Sequence, residues 1–120
     1  MPSVLIVDDE PDVRFLVRSL IEEAEWRVAG EAGSGEEALS CWRELRPDAI
    51  VLDHRMPGLT GLEAAAAILA EEGAPPIILF TVAVDELLGS EAAAIGIRTC
   101  VSKDRLGLLM EALVAHVSQP

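Results

Sequence analysis

Four short apolar runs, each ending in a polar or charged residue, constrain this chain more than any other feature. Val4, Leu5, Ile6 and Val7 lead into Asp8 and Asp9, and Ala49, Ile50, Val51 and Leu52 lead into Asp53. Ile77, Ile78, Leu79 and Phe80 lead into Thr81, and Cys100, Val101 and Ser102 into Lys103. Apolar runs of this length without alternation are the pattern of strands covered on both faces, which is how parallel sheets are built. Parallel strands need long crossovers, and each interval here has room for one helix, so the order reads βα five times: a three-layer α/β sandwich. In such folds chemistry gathers outside the carboxyl ends of the strands. Three acids, a hydroxyl and an ammonium are thereby brought to one rim.

The intervals carry helix signals. Glu10 and Pro11 open a first helix whose core face is Val13, Leu16, Val17, Leu20, Ile21 and Ala24, which leaves Phe15 exposed among Arg18, Ser19 and Glu22. Residues 26–32 suit a half-exposed edge strand. Ser34 with Glu37 predicts a capping box for a second helix with the buried stripe Ala38, Cys41, Trp42 and Leu45; Thr60 with Glu63 predicts another for an alanine-rich third helix reaching about Glu72. A fourth helix over 85–95 is weakened by Gly89, at a cost of ~1 kcal/mol relative to alanine. A last helix from Arg105 to Val117 buries Leu106, Leu109, Met110, Leu113 and Val117, and leaves Leu108, Ala112 and Ala115 as an apolar surface for a partner.

With 120 residues the chain fits one domain, residues 1–120, with no effector domain in view. A formal charge of −12 argues against a nucleic-acid or anionic-membrane footprint. Cys41 and Cys100 have no metal-ligand spacing, which suits reduced thiols, and neither a membrane span nor an export leader is evident. A cytoplasmic location is the expectation.

Bringing Asp8, Asp9 and Asp53 together has an electrostatic cost. Each like-charge pair at ~4 Å costs about 1 to 4 kcal/mol as the effective dielectric falls from 80 to 20. All-oxygen ligands without histidine or cysteine suit a hard cation, and Mg²⁺ fits better than Zn²⁺. Lys103 supplies a second positive charge. A reading in which Asp8 and Asp9 only cap the first helix accounts for one acid but not for two. A carboxylate beside a metal and a lysine is a suitable phosphoryl acceptor, with Thr81 as a hydrogen-bond donor to the same oxygens. A Gly-rich phosphate loop is missing, so a nucleotide is not the expected donor.

The run Val-Asp-Asp-Glu-Pro at 7–11, the run Leu-Asp-His-Arg-Met-Pro-Gly at 52–58 with Gly61, Thr81 at its strand end, and Lys103 seven residues after Gly96 together resemble the receiver domain of bacterial two-component response regulators. The likeness covers essentially the whole chain. It implies the flavodoxin-like fold with strand order 2-1-3-4-5. It further implies Asp53 as phosphoacceptor, Mg²⁺ held by Asp8, Asp9, Asp53 and the backbone carbonyl of Arg55, and Thr81, Lys103 and Val82 as phosphoryl-binding and switch positions. The implied partners are a sensor histidine kinase or phosphotransfer protein upstream, a protein partner or effector domain downstream, and a phosphorylation-dependent homodimer. Phe15, close to the acid pair, is the candidate docking contact for the phosphodonor protein, and Leu108 and Ala112 for output.

Three positions depart from the family pattern. Cys100 stands where an aromatic switch residue is usual, Asp104 where a proline follows the lysine, and Val82 where alanine or glycine is commoner. A cysteine cannot report by a ring flip, so output is expected to run through the loop after Thr81 and the helix around Gly89. One rival reading is a degenerate receiver that binds partners without phosphorylation. A phosphatase with aspartyl-phosphate chemistry is disfavoured because Arg55 occupies the place of its second acid. Flavin binding is disfavoured because Asp8, Asp9 and Asp12 repel a cofactor phosphate. Enzymatic action is expected only on the domain's own aspartate.

Overall fold

Strands and helices alternate through the computed structural model, which describes residues 1–117: β1 (Ser3–Val7), α1 (Pro11–Glu23), β2 (Arg27–Ala32), α2 (Gly35–Leu45), β3 (Ala49–Leu52), α3 (Gly61–Leu69), β4 (Ile77–Thr81), α4 (Glu86–Ile95), β5 (Thr99–Ser102) and α5 (Leu106–His116). Residues 118–120 of the expected single-domain span lie outside the described residues. The five strands form one parallel sheet in the order β2-β1-β3-β4-β5, the flavodoxin-like arrangement. Shared polarity puts all five carboxyl ends on one edge, and the ladder continues past them: Asp53 donates its N–H to the Val7 carbonyl (3.0 Å) and Lys103 to the Thr81 carbonyl (2.9 Å).

Because side chains alternate along a strand, each central strand feeds two cores. Leu5, Val7, Ile50, Leu52 and Leu79 pack with Ala38 and Trp42 of α2, Ala65 and Ile68 of α3, and Leu88 and Ala92 of α4. Val4, Ile6, Val51, Ile78 and Phe80 pack with Val17 and Ile21 of α1 and Leu109 and Leu113 of α5. Burial of such a Leu, Ile or Val side chain is worth roughly 1.5 to 3 kcal/mol, so both layers are firmly seated.

The helix ends follow the predicted signals with two shortfalls, one being α3, which ends at Leu69 and not near Glu72. Thr60 and Glu63 form the full capping box of α3. Ser34 accepts from the Glu37 N–H (3.2 Å), but no reciprocal bond returns from Glu37. The weak α4 is capped at both ends, by the Asp85 side chain accepting from the Leu88 N–H (2.8 Å) and by Gly96 at φ +106°.

Four assignments of inside and outside are corrected. Ala112 is buried, with 8% of its surface exposed. Successive helical residues turn by about 100°, which sets Ala112 only about 60° from Leu109 and inside the arc facing the sheet. The outer face of α5 is instead Leu108, Val114 and Ala115. Leu16 and Ala24 are exposed, since the sheet covers only the narrower stripe of α1 around Val17 and Ile21. Leu45 lies over Gly30 of β2 and is open on its other side, because an edge strand covers one flank alone.

Candidate functional site

Three strand ends meet at Lys103. Its ammonium lies 2.8 Å from Asp8 Oδ2 and 3.1 Å from Asp53 Oδ2, with Glu10 Oε1 at 3.8 Å. Both aspartates are buried, and their other carboxylate oxygens are also engaged: Asp8 Oδ1 accepts from the Glu10 N–H (2.9 Å) and Asp53 Oδ1 from the His54 N–H (2.8 Å). Burial pushes the Asp8 carboxyl above its usual range, opposed by the Lys103 and Glu10 hydrogen bonds and reinforced by the Asp53 charge. Burial pulls Lys103 down, yet its hydrogen bonds to Asp8 and Asp53 outweigh it and hold the ammonium charged. The lysine is thus the internal counter-charge of two carboxylates.

Thr81, at the end of β4, is 1% exposed, and its Oγ1 is the one buried side-chain polar atom without a partner among the described residues. Leaving such a group unsatisfied costs about 1 to 3 kcal/mol. A ligand oxygen beside Thr81 removes that cost. On the other flank, Asp8, Asp9 and Glu10 each present a carboxylate oxygen within 4.8 Å of the others, a hard-donor set of the kind Mg²⁺ prefers. The site therefore offers anionic oxygens on one side and a cation with an idle hydroxyl on the other.

The chain matches the family model for the response regulator receiver domain over residues 4–114. It belongs to that family. A curated relative, the protein-glutamate methylesterase/protein-glutamine glutaminase 3 of Hahella chejuensis, is 51% identical over 79 residues, which cover 66% of this chain and 22% of that protein. Protein CcdB of Bacillus subtilis is 34% identical over 86% of each chain. Among solved structures, a LuxR-family two-component response regulator from Aurantimonas superposes with a TM-score of 0.91 at 33% identity, covering 96% of this chain and 84% of that one. The receiver accordingly spans about a fifth of the methylesterase and most of the CcdB protein.

In this receiver the remaining predicted residues fall around the core of the site. Asp9 and Arg55 are exposed at its mouth. Val82 is 61% exposed on the loop after Thr81, and Cys100 is half-buried against the core layer that includes Leu88, Ala92 and Ile97 of the α4 side. Burial pushes both thiols, Cys41 and Cys100, above the usual cysteine range, which favours the protonated form. The peptide bond between Lys103 and Asp104 is trans. Phe15 is 68% exposed on α1, and Leu108 is exposed on α5. An open cleft of about 610 Å³ runs from Thr81 between the β3–α3 loop (His54, Arg55, Met56) and α4 (Leu87, Glu91).

Sequence reasoning missed two of the residues that brace the site, Glu36 and Arg14. Glu36 reaches from α2 to accept from the Leu59 N–H (3.0 Å), which fastens the loop that carries Asp53. The Gly61 N–H donates to the His54 carbonyl (2.8 Å), and the Leu62 N–H to His54 Nδ1 (3.4 Å). Arg14 donates to the Asp8 carbonyl (2.7 Å). Long side chains reaching to distant backbone leave no periodic trace. Gly61 and His54, by contrast, lie within the motif that carries the family resemblance.

Proposed function

We propose that this receiver accepts a phosphoryl group on Asp53 from a phosphohistidine of a sensor kinase or phosphotransfer protein, and relays the change to a downstream protein partner or effector domain. The observation that carries this reading is the Lys103 ammonium held between Asp8 and Asp53 with the Thr81 hydroxyl left idle. A phosphorylation-independent binding module has no need of that arrangement. The Asp53 carboxylate oxygen attacks phosphorus in line, the new O–P bond forming as the N–P bond of the donor breaks and the imidazole leaves with a proton from solvent. Lys103 pairs with the phosphoryl oxygens and Thr81 donates to one of them. Asp8, Asp9, Asp53 and the Arg55 carbonyl are the groups that would hold Mg²⁺, which when bound neutralises charge on the transferring group. The test is intact mass after incubation with acetyl phosphate: one phosphoryl group gained with Mg²⁺ and none in EDTA. No gain in either condition would favour the binding-module reading.

Asp9 separates metal binding from folding. Its side chain makes no hydrogen bond or ion pair among the described residues, yet it lies in the acid cluster with Asp8 and Glu10. Asp9→Ala is expected to weaken Mg²⁺ binding about tenfold or more by removing a hard ligand. In metal-free denaturation the variant is expected to be at least as stable as the parent, because repulsion is relieved. A clear loss of stability would make Asp9 structural.

Phe15 is the proposed phosphodonor contact. A large exposed aromatic within two turns of the acid pair fits a protein partner better than solvent. Phe15→Ala should slow transfer from the cognate kinase roughly tenfold, as loss of one contact-centre aromatic does, and leave acetyl phosphate uptake unchanged. Equal loss with both donors would indicate a folding defect instead.

Output is proposed to pass through the loop after Thr81 and α4, where Val82, Val84 and Leu87 are exposed and helix propensity is weak. The exposed face of α5 around Leu108, on the other side of the sheet from α4, is the proposed surface for a partner or a phosphorylation-dependent homodimer. Hydrogen exchange with and without a phosphoryl mimic should change between Val82 and Ile95; identical protection would make this segment a static scaffold. The cytoplasm is the setting proposed for this function. No helix among the described residues is long and apolar enough to cross a membrane.

A further inference from the structure

Among the described residues Arg14 is the one cation that touches the backbone of the acidic turn, and its own position is fixed from elsewhere. Its Nη1 donates to the Asp8 carbonyl at 2.7 Å, while its Nε donates to Glu31 Oε1 at 3.0 Å on the edge strand β2. Glu31 is held in turn by Arg18, whose Nε lies 2.8 Å from Oε2 and whose Nη1 reaches Glu22 at 3.3 Å. The guanidinium side chains of this chain of ion pairs run along one face of α1 and end at the peptide that joins Asp8 to Asp9. The other groups of Asp8 are already tied: its N–H to the Ala32 carbonyl (3.0 Å), Oδ1 to the Glu10 N–H and Oδ2 to Lys103. The carbonyl is the remaining handle on the turn, and Arg14 holds it with a charge-assisted bond.

We propose that Arg14, oriented by Glu31, is a positioning residue for the divalent cation. It fixes the Asp8–Asp9 peptide so that the carboxylates of Asp8 and Asp9 stay within reach of one ion. The inference rests on the metal reading given above.

Arg14 invites a test of sign. A positive charge near a cation site repels the cation, so electrostatics alone predicts that its removal tightens Mg²⁺ binding. Positioning predicts the opposite, because partners that orient ligating groups typically govern affinity by roughly tenfold or more. Mg²⁺ affinity of the whole chain, measured by calorimetry and by amide shifts of Asp9 and Glu10 in NMR, should therefore fall about tenfold in Arg14→Ala. Arg14→Lys keeps the charge but cannot span the Asp8 carbonyl and Glu31 together as a planar fork does, and should fall as well. Equal or tighter binding in a folded Arg14→Ala would overturn the proposal. So would full affinity in Arg14→Lys, which would reduce the residue to its charge. If Arg14→Ala fails to fold, Glu31→Gln becomes the second variant. It keeps an acceptor for Arg14 while removing the ion pair, and should loosen the Glu10 amide to hydrogen exchange; unchanged exchange there would also overturn the proposal. Absence of Mg²⁺ binding by the parent would instead reject the metal reading itself.

Discussion

Asp53→Asn is expected to gain no phosphoryl group from acetyl phosphate and Mg²⁺ under conditions where the parent gains one. The carboxamide is nearly the same shape, and its oxygen can still accept from Lys103 or from the His54 N–H, the two bonds that hold the carboxylate at 3.1 and 2.8 Å. The fold should therefore survive. The loss is in chemistry: a neutral amide oxygen is a poor nucleophile at phosphorus, and removing a covalent nucleophile typically abolishes measurable turnover. Circular dichroism and the exchange of core amides in β3 would establish that the variant is folded, after which intact mass reads the result. Uptake equal to the parent would falsify the assignment of Asp53 and move attention to Asp8 or Asp9.

Gly61→Ala should produce the second large effect, and for a reason that has nothing to do with helix propensity. A Cβ at Gly61 would meet the backbone carbonyl oxygen of Asp53 and lie 2.7 Å from His54 Cα. Neither atom can swing aside as a side-chain tip can. The clash is relieved only by shifting the Asp53–His54 peptide or the start of α3, which also breaks the bond from the Gly61 N–H to the His54 carbonyl. Overpacking against rigid neighbours costs about 1 to 3 kcal/mol, and the upper end is expected here. Phosphoryl uptake should slow as well, because the acceptor is displaced from Lys103. Gly89→Ala is the internal control: a Cβ there meets nothing within 4 Å, and alanine should stabilise α4 by about 0.5 to 1 kcal/mol. Chemical denaturation compares the two. Similar stability for both variants would mean that the close approach at Gly61 is not what holds the loop.

The legible part of this molecule is the part that depends on periodicity and on strand polarity. Asp8, Asp53, Thr81 and Lys103 could be assigned to one rim because parallel strands end on one edge, and the distances around Lys103 follow from that topology. Thr60 with Glu63 announced a helix start because capping is a contact across three residues, local enough to be written in sequence. Periodicity gives the direction of a side chain but not what lies opposite. Leu16 and Leu45 point the way an apolar residue should and still meet water, since their neighbours are a helix flank and a single edge strand. Ala112 errs the other way, a small residue shadowed by the bulk of Leu109 and Leu113. Arg14 and Glu36 were invisible because each acts on backbone belonging to a different loop.

Lys103 also bears on what the protein requires of its surroundings. Two carboxylates against one ammonium leave a single excess negative charge in the buried trio, and the ammonium contacts both acids. Domains that rely on a metal to neutralise clustered acids unfold when it is withdrawn, so their abundance follows metal supply. A resident counter-ion on the chain itself removes that dependence. On the proposed Mg²⁺-dependent reading, scarcity of the ion would stop phosphoryl uptake yet leave in place the two contacts that Lys103 makes within the trio.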